Sequence, residues 1–195
     1  MNIRQDKLLI VDLEATCWEN RVIPPNQTQE VIEIGICALD LATYAITHKQ
    51  SLLIRPILST VSPFCTQLTN ITADMIAKDG IAFSEACERL IKDYDAPNII
   101  WASWGSFDHN LMTRQCKRTR TPFPFHKKYV NLKRLFQHTY GKRLSMPEAM
   151  QELALTLEGT HHRGADDAYN IARLLVAMLK AHGNSILRPY GVDSA

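Results

Sequence analysis

The 195-residue sequence predicts a three-layer α/β domain built on a mixed sheet. Three strand-like runs stand in succession near the start of the chain, before any helical periodicity. Farther on, a buried-strand pattern alternates with amphipathic helices. Apolar residues make up 46% of the chain, enough at this length to bury a sizeable core.

Lys7 to Leu13 reads as the first strand, and a polar loop from Asn20 to Gln29 carries Pro24-Pro25. Val31 to Leu39 and Ala45 to Ile54 read as the second and third strands. Strands met one after another pair as an antiparallel meander, which belongs at one side of the sheet. Thr72 then caps a short helix with Asp74 in its first turn, and Phe83 to Tyr94 is amphipathic. Asn98 to Ala102 is a buried strand, followed by a helix over Phe107 to Cys116. Ser145-Met146-Pro147-Glu148 matches a capping box, opening a helix expected to end near Gly159. A last helix from about Ala165 to Lys180 places Ala168, Ile171, Ala172, Leu175 and Leu179 on one apolar face.

Residues 1–195 are expected to form one domain, with a core over about 7–182 and a tail over about 183–195. With 22% charged residues, 8 Gly and 9 Pro, the composition is that of an ordinary globular chain, without repeats or low-complexity tracts. No apolar run is long enough to cross a membrane, and Met1 to Asp6 lacks a secretory pattern. The 5 cysteines are scattered without a CxxC pair, as expected of reduced thiols in a cytoplasmic protein, not of a zinc site or disulfide frame. Net charge is only +2, but no acid occurs between His109 and Pro147. That stretch carries Arg114, Lys117, Arg118, Arg120, Lys127, Lys128, Lys133, Arg134, Lys142 and Arg143, interleaved with aromatic residues. A solvated helix face normally mixes signs, so this block points to a polyanion such as nucleic acid.

The first strand ends in Asp12-Leu13-Glu14. Alternation along a strand turns Asp12 and Glu14 to one face, where two carboxylates beside a core repel unless a cation neutralises them. Hard divalent ions take oxygen ligands of this kind. A strand that simply ends at the surface in two solvated acids is the competing account. Asp108 opens a helix after the fourth strand, and Asp167 lies in the first turn of the last helix. Each of these has a bland explanation in the helix dipole. That explanation does not supply His162, five residues before Asp167 and across a glycine suited to a tight turn.

Asp-Leu-Glu-Ala-Thr at Asp12, an Asp opening a mid-chain helix, and His-x4-Asp at His162 resemble the three motifs of the DnaQ-like DEDDh exonuclease superfamily. The match runs from Leu8 to about Leu179. Asp-x-Glu-Ala-Thr-Cys, the segment Phe64 to Thr72, and Asp-Asp-Ala-x-Asn-Ile-Ala in the last helix resemble its Eri-type branch, which includes 3′-exonucleases of histone mRNA and small interfering RNA. The resemblance implies an RNase H-like fold, a mixed sheet of mainly five strands flanked by helices. It also implies a metal-dependent 3′–5′ exonuclease acting on single-stranded RNA ends or short overhangs and releasing nucleoside 5′-monophosphates.

Carried over by position, Asp12, Glu14, Asp108 and Asp167 become the ligands of two Mg²⁺ or Mn²⁺ ions, spaced roughly 3.5–4 Å in such sites. His162 becomes the general base, a role its near-neutral pKa suits. Backbone groups at Ala15 and Thr16 are expected to hold the terminal sugar, and Leu68 with Thr69 to pack on the terminal base. Asn70 stands where a glycine is common and tolerates positive φ. Phe107 is either a stacking wall or core, while Trp101 and Trp104 read as core. His161 is expected to face solvent, Asp166 to serve the helix terminus, and Glu33 to be structural. A DNA exonuclease, an oligoribonuclease and a catalytically silent RNA-binding module are the alternatives. No membrane partner is implied.

Overall fold

The computed structural model describes residues 4–192. Five strands form one mixed sheet: β1 (Arg4–Ala15), β2 (Val31–Asp40), β3 (Ile46–Leu53), β4 (Ile99–Ser103) and β5 (Tyr129–Asn131). Their spatial order is β3-β2-β1-β4-β5. β1, β2 and β3 pair antiparallel, whereas β4 is parallel to β1 and β5 to β4. The antiparallel meander at one side of a mixed sheet is the one expected from the order of strand signals.

Among the described residues seven α-helices accompany the sheet: α1 (Pro63–Thr69), α2 (Ala73–Asp79), α3 (Phe83–Tyr94), α4 (Phe107–Thr119), α5 (Leu132–Tyr140), α6 (Met146–Glu152) and α7 (Gly164–His182). Leu8 and Ile10 of β1 face one side and join Leu135 and Phe136 of α5 and Ile171, Leu175 and Leu179 of α7. Leu9, Val11 and Leu13 face the other side, with Phe83 and Leu90 of α3 and Leu111 and Met112 of α4. These two apolar layers are the driving term of the fold. The even-numbered face of β1 changes character along its length. It runs Leu8, Ile10, Asp12, Glu14, so the acids emerge directly from the α7-facing core.

Three elements were not read from the sequence. β5 has only three residues, too few for a periodic signal. α5 carries Leu132, Leu135 and Phe136 at helical spacing, but within the basic block. α1 is announced by Ser62, whose hydroxyl accepts from the Cys65 amide, with Pro63 at the first helical position. One boundary is corrected: α6 ends at Glu152, well short of Gly159. Ala154 adopts φ 54°, and Asn170 of α7 holds Glu158 through both its amide and its carbonyl. The segment is therefore a pinned loop. Asn70 takes the left-handed conformation that ends α1, at φ 58°.

Candidate active site

The carboxyl ends of β1 and β4 lie side by side, the position at which parallel α/β sheets place ligands. β1 delivers Asp12 and Glu14 there. β4 leads through the turn at Gly105 into α4, whose first turn carries Asp108. Asp108 Oδ1 accepts the Leu13 amide at 3.0 Å, which ties this acid to β1 between the other two. Asp167 arrives from the opposite direction, on the first turn of α7.

Two glycines let α7 come this close. A Cβ on Gly35 of β2 would lie 1.8 Å from the Gly164 carbonyl carbon, and one on Gly164 would lie 2.9 Å from the Gly35 nitrogen and 3.1 Å from the Asp12 oxygen. Since Gly35 pairs with Asp12 across the ladder, the contact lands beside the acids. Gly164 was expected to permit a tight turn. The positive φ falls instead on His162, at 62°, and Gly164 serves close backbone approach.

Glu33, opposite Glu14 on β2, fixes this junction. It is fully buried and accepts the Gly164 amide at 2.8 Å, Arg163 Nε at 3.3 Å and Nη2 at 3.2 Å. The Ser51 hydroxyl also donates to it. Neither Glu33 nor Arg163 carries a motif signal. Only an acid inside an otherwise apolar strand marked the position.

Carboxylate oxygens of Asp12, Glu14 and Asp167 lie within 4.8 Å of one another, and Asp108 stands outside this trio in the same cleft. Burial, then Asp108 and Glu14, pushes the Asp12 carboxyl well above its usual range. Burial, then Asp167 and Glu33, pushes Glu14 up to about 9. Burial raises Asp108 to about 6, opposed by its hydrogen bonds from Ser103 and Leu13. Asp167 accepts the His162 amide at 2.9 Å and contacts His161 Nδ1 at 3.0 Å. Asp12 and Glu14, by contrast, accept no hydrogen bond from a described residue. Such a cluster repels itself, and its oxygen-only chemistry fits a hard divalent cation.

His161 and His162 stack with centroids 3.9 Å apart, and both line the cleft. His161 does not face solvent alone, as was expected, because Asp167 draws its ring inward. Burial, then His161, lowers the His162 pKa, while Asp167 opposes that fall. His162 is thereby held neutral near pH 7, the form able to accept a proton. Asp166 points elsewhere, to Lys49 and the Thr160 amide at 2.8 Å.

The cleft measures about 330 Å³. Phe107 forms part of its wall and is 47% exposed, so it is not a core aromatic. Trp104 also lines it, half-buried, whereas Trp101 is fully buried in the core. Leu68 is exposed at the end of α1, which Ser62 and Cys65 fasten to the backbone of Cys17 and Ala15. Thr69 is fully buried, and its hydroxyl donates to the Cys65 carbonyl and accepts the Ile71 amide. It shapes the loop, and its side chain is not offered to a ligand. The Thr16 amide is likewise engaged, donating to the Glu30 carbonyl at 2.8 Å. Lys133 reaches the cleft from α5 without a motif of its own.

The family model described as Exonuclease, of the RNase T type, matches residues 9–175. Human 3′-5′ exoribonuclease 1 is 31% identical over 90% of this chain and 53% of its own length. The chain thus spans about half of that relative. The crystal structure of the nuclease domain of 3′hExo, a DEDDh family member bound to rAMP, superposes with a TM-score of 0.83. It is 27% identical, over 93% of this chain and 96% of that one. A 3′-exonuclease described in 3′-end specific recognition of the histone mRNA stem-loop gives 0.82 at 28% identity, covering 93% of this chain and 66% of that one.

Proposed function

The chain belongs to the Exonuclease family, in its DEDDh, Eri-type branch, and from that premise we propose that it removes nucleotides from the 3′ ends of single-stranded RNA or short overhangs, releasing 5′-monophosphates. The observation that carries this reading is the convergence of Asp12, Glu14 and Asp167 within 4.8 Å, with Asp108 and His162 in the same cleft. A binding module needs neither a histidine beside the acids nor acids left without hydrogen-bond donors.

Asp12, Glu14 and Asp167 would hold divalent cations, with Asp108 supporting them from the α4 side. Mg²⁺ or Mn²⁺ suits the all-oxygen donor set. Such ions, when bound, activate a water and offset charge on the phosphate and the departing 3′ oxygen. His162 takes the proton of the attacking water, and its lowered pKa keeps it available for that step. Phe107 offers a face for the terminal base, and Leu68 an apolar contact at the end of α1. Ala15 lies at the end of β1 beside the acids, and its position there supports a backbone contact to the terminal sugar, although its carbonyl already accepts the Cys65 thiol. The exoribonuclease relative supports RNA over DNA as substrate. All 5 cysteines are free thiols, which supports a reducing, cytoplasmic setting.

The test is metal-stripped protein with 5′-labelled RNA, DNA and a circular RNA. Stepwise shortening of linear RNA on adding Mg²⁺ or Mn²⁺, abolished by Asp12→Ala, is expected. Activity persisting in chelator, or rapid cleavage of the circle, would refute it.

A further inference from the structure

The basic block does not act as one surface. Arg118 is consumed by the fold, donating to Gln115, Thr28 and the Gln29 carbonyl beside the buried Glu30. Lys128 is directed to the Gly191 carbonyl, and Lys142 is paired with Glu152. Lys117, Arg120 and Lys127 line an open groove of about 700 Å³ on the outer flank of α4, which shares no residue with the catalytic cleft.

Lys133, Arg134 and Arg143 differ on both counts. Their side chains enter no ion pair or hydrogen bond among the described residues, and they lead to the acids through Lys133. Lys133 lines the catalytic cleft and also a second depression of about 230 Å³, shared with Arg134, Arg143 and Asn131. That depression shares Ser106, Asn131 and Arg134 with a third, of about 510 Å³, bounded by His138, Pro189 and Tyr190. The three thus adjoin in series, as a trough that meets the catalytic cleft at Lys133. No acid lines the second or third part. The nearby Glu148 is turned to the Ser145 amide and hydroxyl.

Stability does not account for this placement. Lys133 and Arg134 stand in the first turn of α5 with no acid there, where the helix dipole repels cations. A polyanion lying along the trough would relieve both the mutual and the dipole repulsion. We propose that the strand whose 3′ terminus enters the catalytic cleft leaves it past Lys133 and runs 5′-ward along this trough. Its phosphates lie on Arg134 and Arg143, and a base rests against Tyr190. The inference builds on the exonuclease reading above and adds the direction of the substrate and the groups that hold it. It also separates this path from the outer groove at Lys117.

The experiment compares kcat/KM on an oligouridylate decamer with that on a dinucleotide, for the unmodified protein and two double variants. Arg134→Glu with Arg143→Glu should lower the decamer-to-dinucleotide ratio about tenfold. Metal-free binding of a labelled decamer should lose salt dependence, with a slope shallower by roughly 0.7 for each phosphate contact removed. Lys117→Glu with Arg120→Glu should keep the ratio of the unmodified protein. The route is overturned if the first pair leaves ratio and slope unchanged, or if the loss appears in the second pair instead. Failure of the unmodified protein to cleave either substrate would overturn the exonuclease reading and the route with it. Cleavage with unaltered length dependence overturns the route alone.

Discussion

Replacing Glu14 by Gln should stabilise the metal-free protein while removing its activity. Burial and neighbouring carboxylates raise the Glu14 pKa from an ordinary 4.5 to about 9. The folded state therefore holds this proton more tightly than the unfolded state does. Below the unfolded pKa both states are protonated and nothing is lost. As pH rises through the interval toward 9, stability falls, because only the unfolded chain releases the proton freely. At pH 7.5 the interval already crossed is three units above 4.5, worth about 4 kcal/mol at 1.36 kcal/mol per unit. Glutamine keeps the shape and carries no charge. We expect at least half of the penalty to be recovered, about 2 kcal/mol, which is a rise of roughly 4–8 °C in Tm for a chain of this size. The assay is thermal unfolding in chelator across pH 5 to 9, with and without Mg²⁺. The unmodified protein should lose Tm with rising pH and regain it with Mg²⁺, since a ligand of the native state stabilises by mass action. The variant should show a flatter profile and a smaller Mg²⁺ response. An equal or lower Tm for the variant in chelator at pH 7.5 would refute the claim that the cluster is held against its own repulsion.

His162→Ala should lower turnover by roughly 10²–10⁴, the scale of a general base, with Mg²⁺ stabilisation retained. His161→Ala should mainly weaken metal affinity, because His161 braces the Asp167 carboxylate at 3.0 Å; measured kcat and metal titrations separate the two. Gly35→Ala should destabilise by about 1–3 kcal/mol or more, since its Cβ would meet Gly164 backbone at 1.8 Å; denaturant unfolding reads this directly. Arg118→Glu should lower stability and leave the salt dependence of RNA binding unchanged, because Arg118 faces the buried Glu30 and not a groove.

What the sequence made legible follows the strength of its periodic signals. Phe83–Tyr94 and the long α7 repeat apolar residues at helical spacing over several turns, and the structure places both there. β5 and α5 escaped because one is three residues long and the other hides its apolar stripe among Lys133, Arg134 and His138. At the site, Asp12 and Glu14 were readable because strand alternation is a local rule. Asp108 and Asp167 were not separable by local rules from ordinary acids at helix starts, and the resemblance supplied them. The role of Glu33 depends on contacts across more than a hundred residues, between β2 and the start of α7, which no spacing records. The inward turn of His161 rests on Asp167, only six residues on, but its direction is set by where the first turn of α7 is anchored.

The acids of this cleft are best told apart by what donates to them. Glu33 is as buried as any, yet it accepts Gly164, Arg163 and Ser51, so its charge is answered within the fold. Asp108 has the Leu13 amide, and Asp167 has the His162 amide and the His161 ring. Asp12 and Glu14 have no donor among the described residues and border the open cleft. Burial of a charge without partners costs several kcal/mol, so a fold keeps such a pair only where something else completes it. A cation at Asp12 and Glu14 would do so, drawing on Asp167 and Asp108 as second partners that already have places to return to. The gradient from Glu33 to Asp12 thus orders the acids from structural to metal-binding. It does so from hydrogen bonds alone, and it reaches the same residues as the motifs.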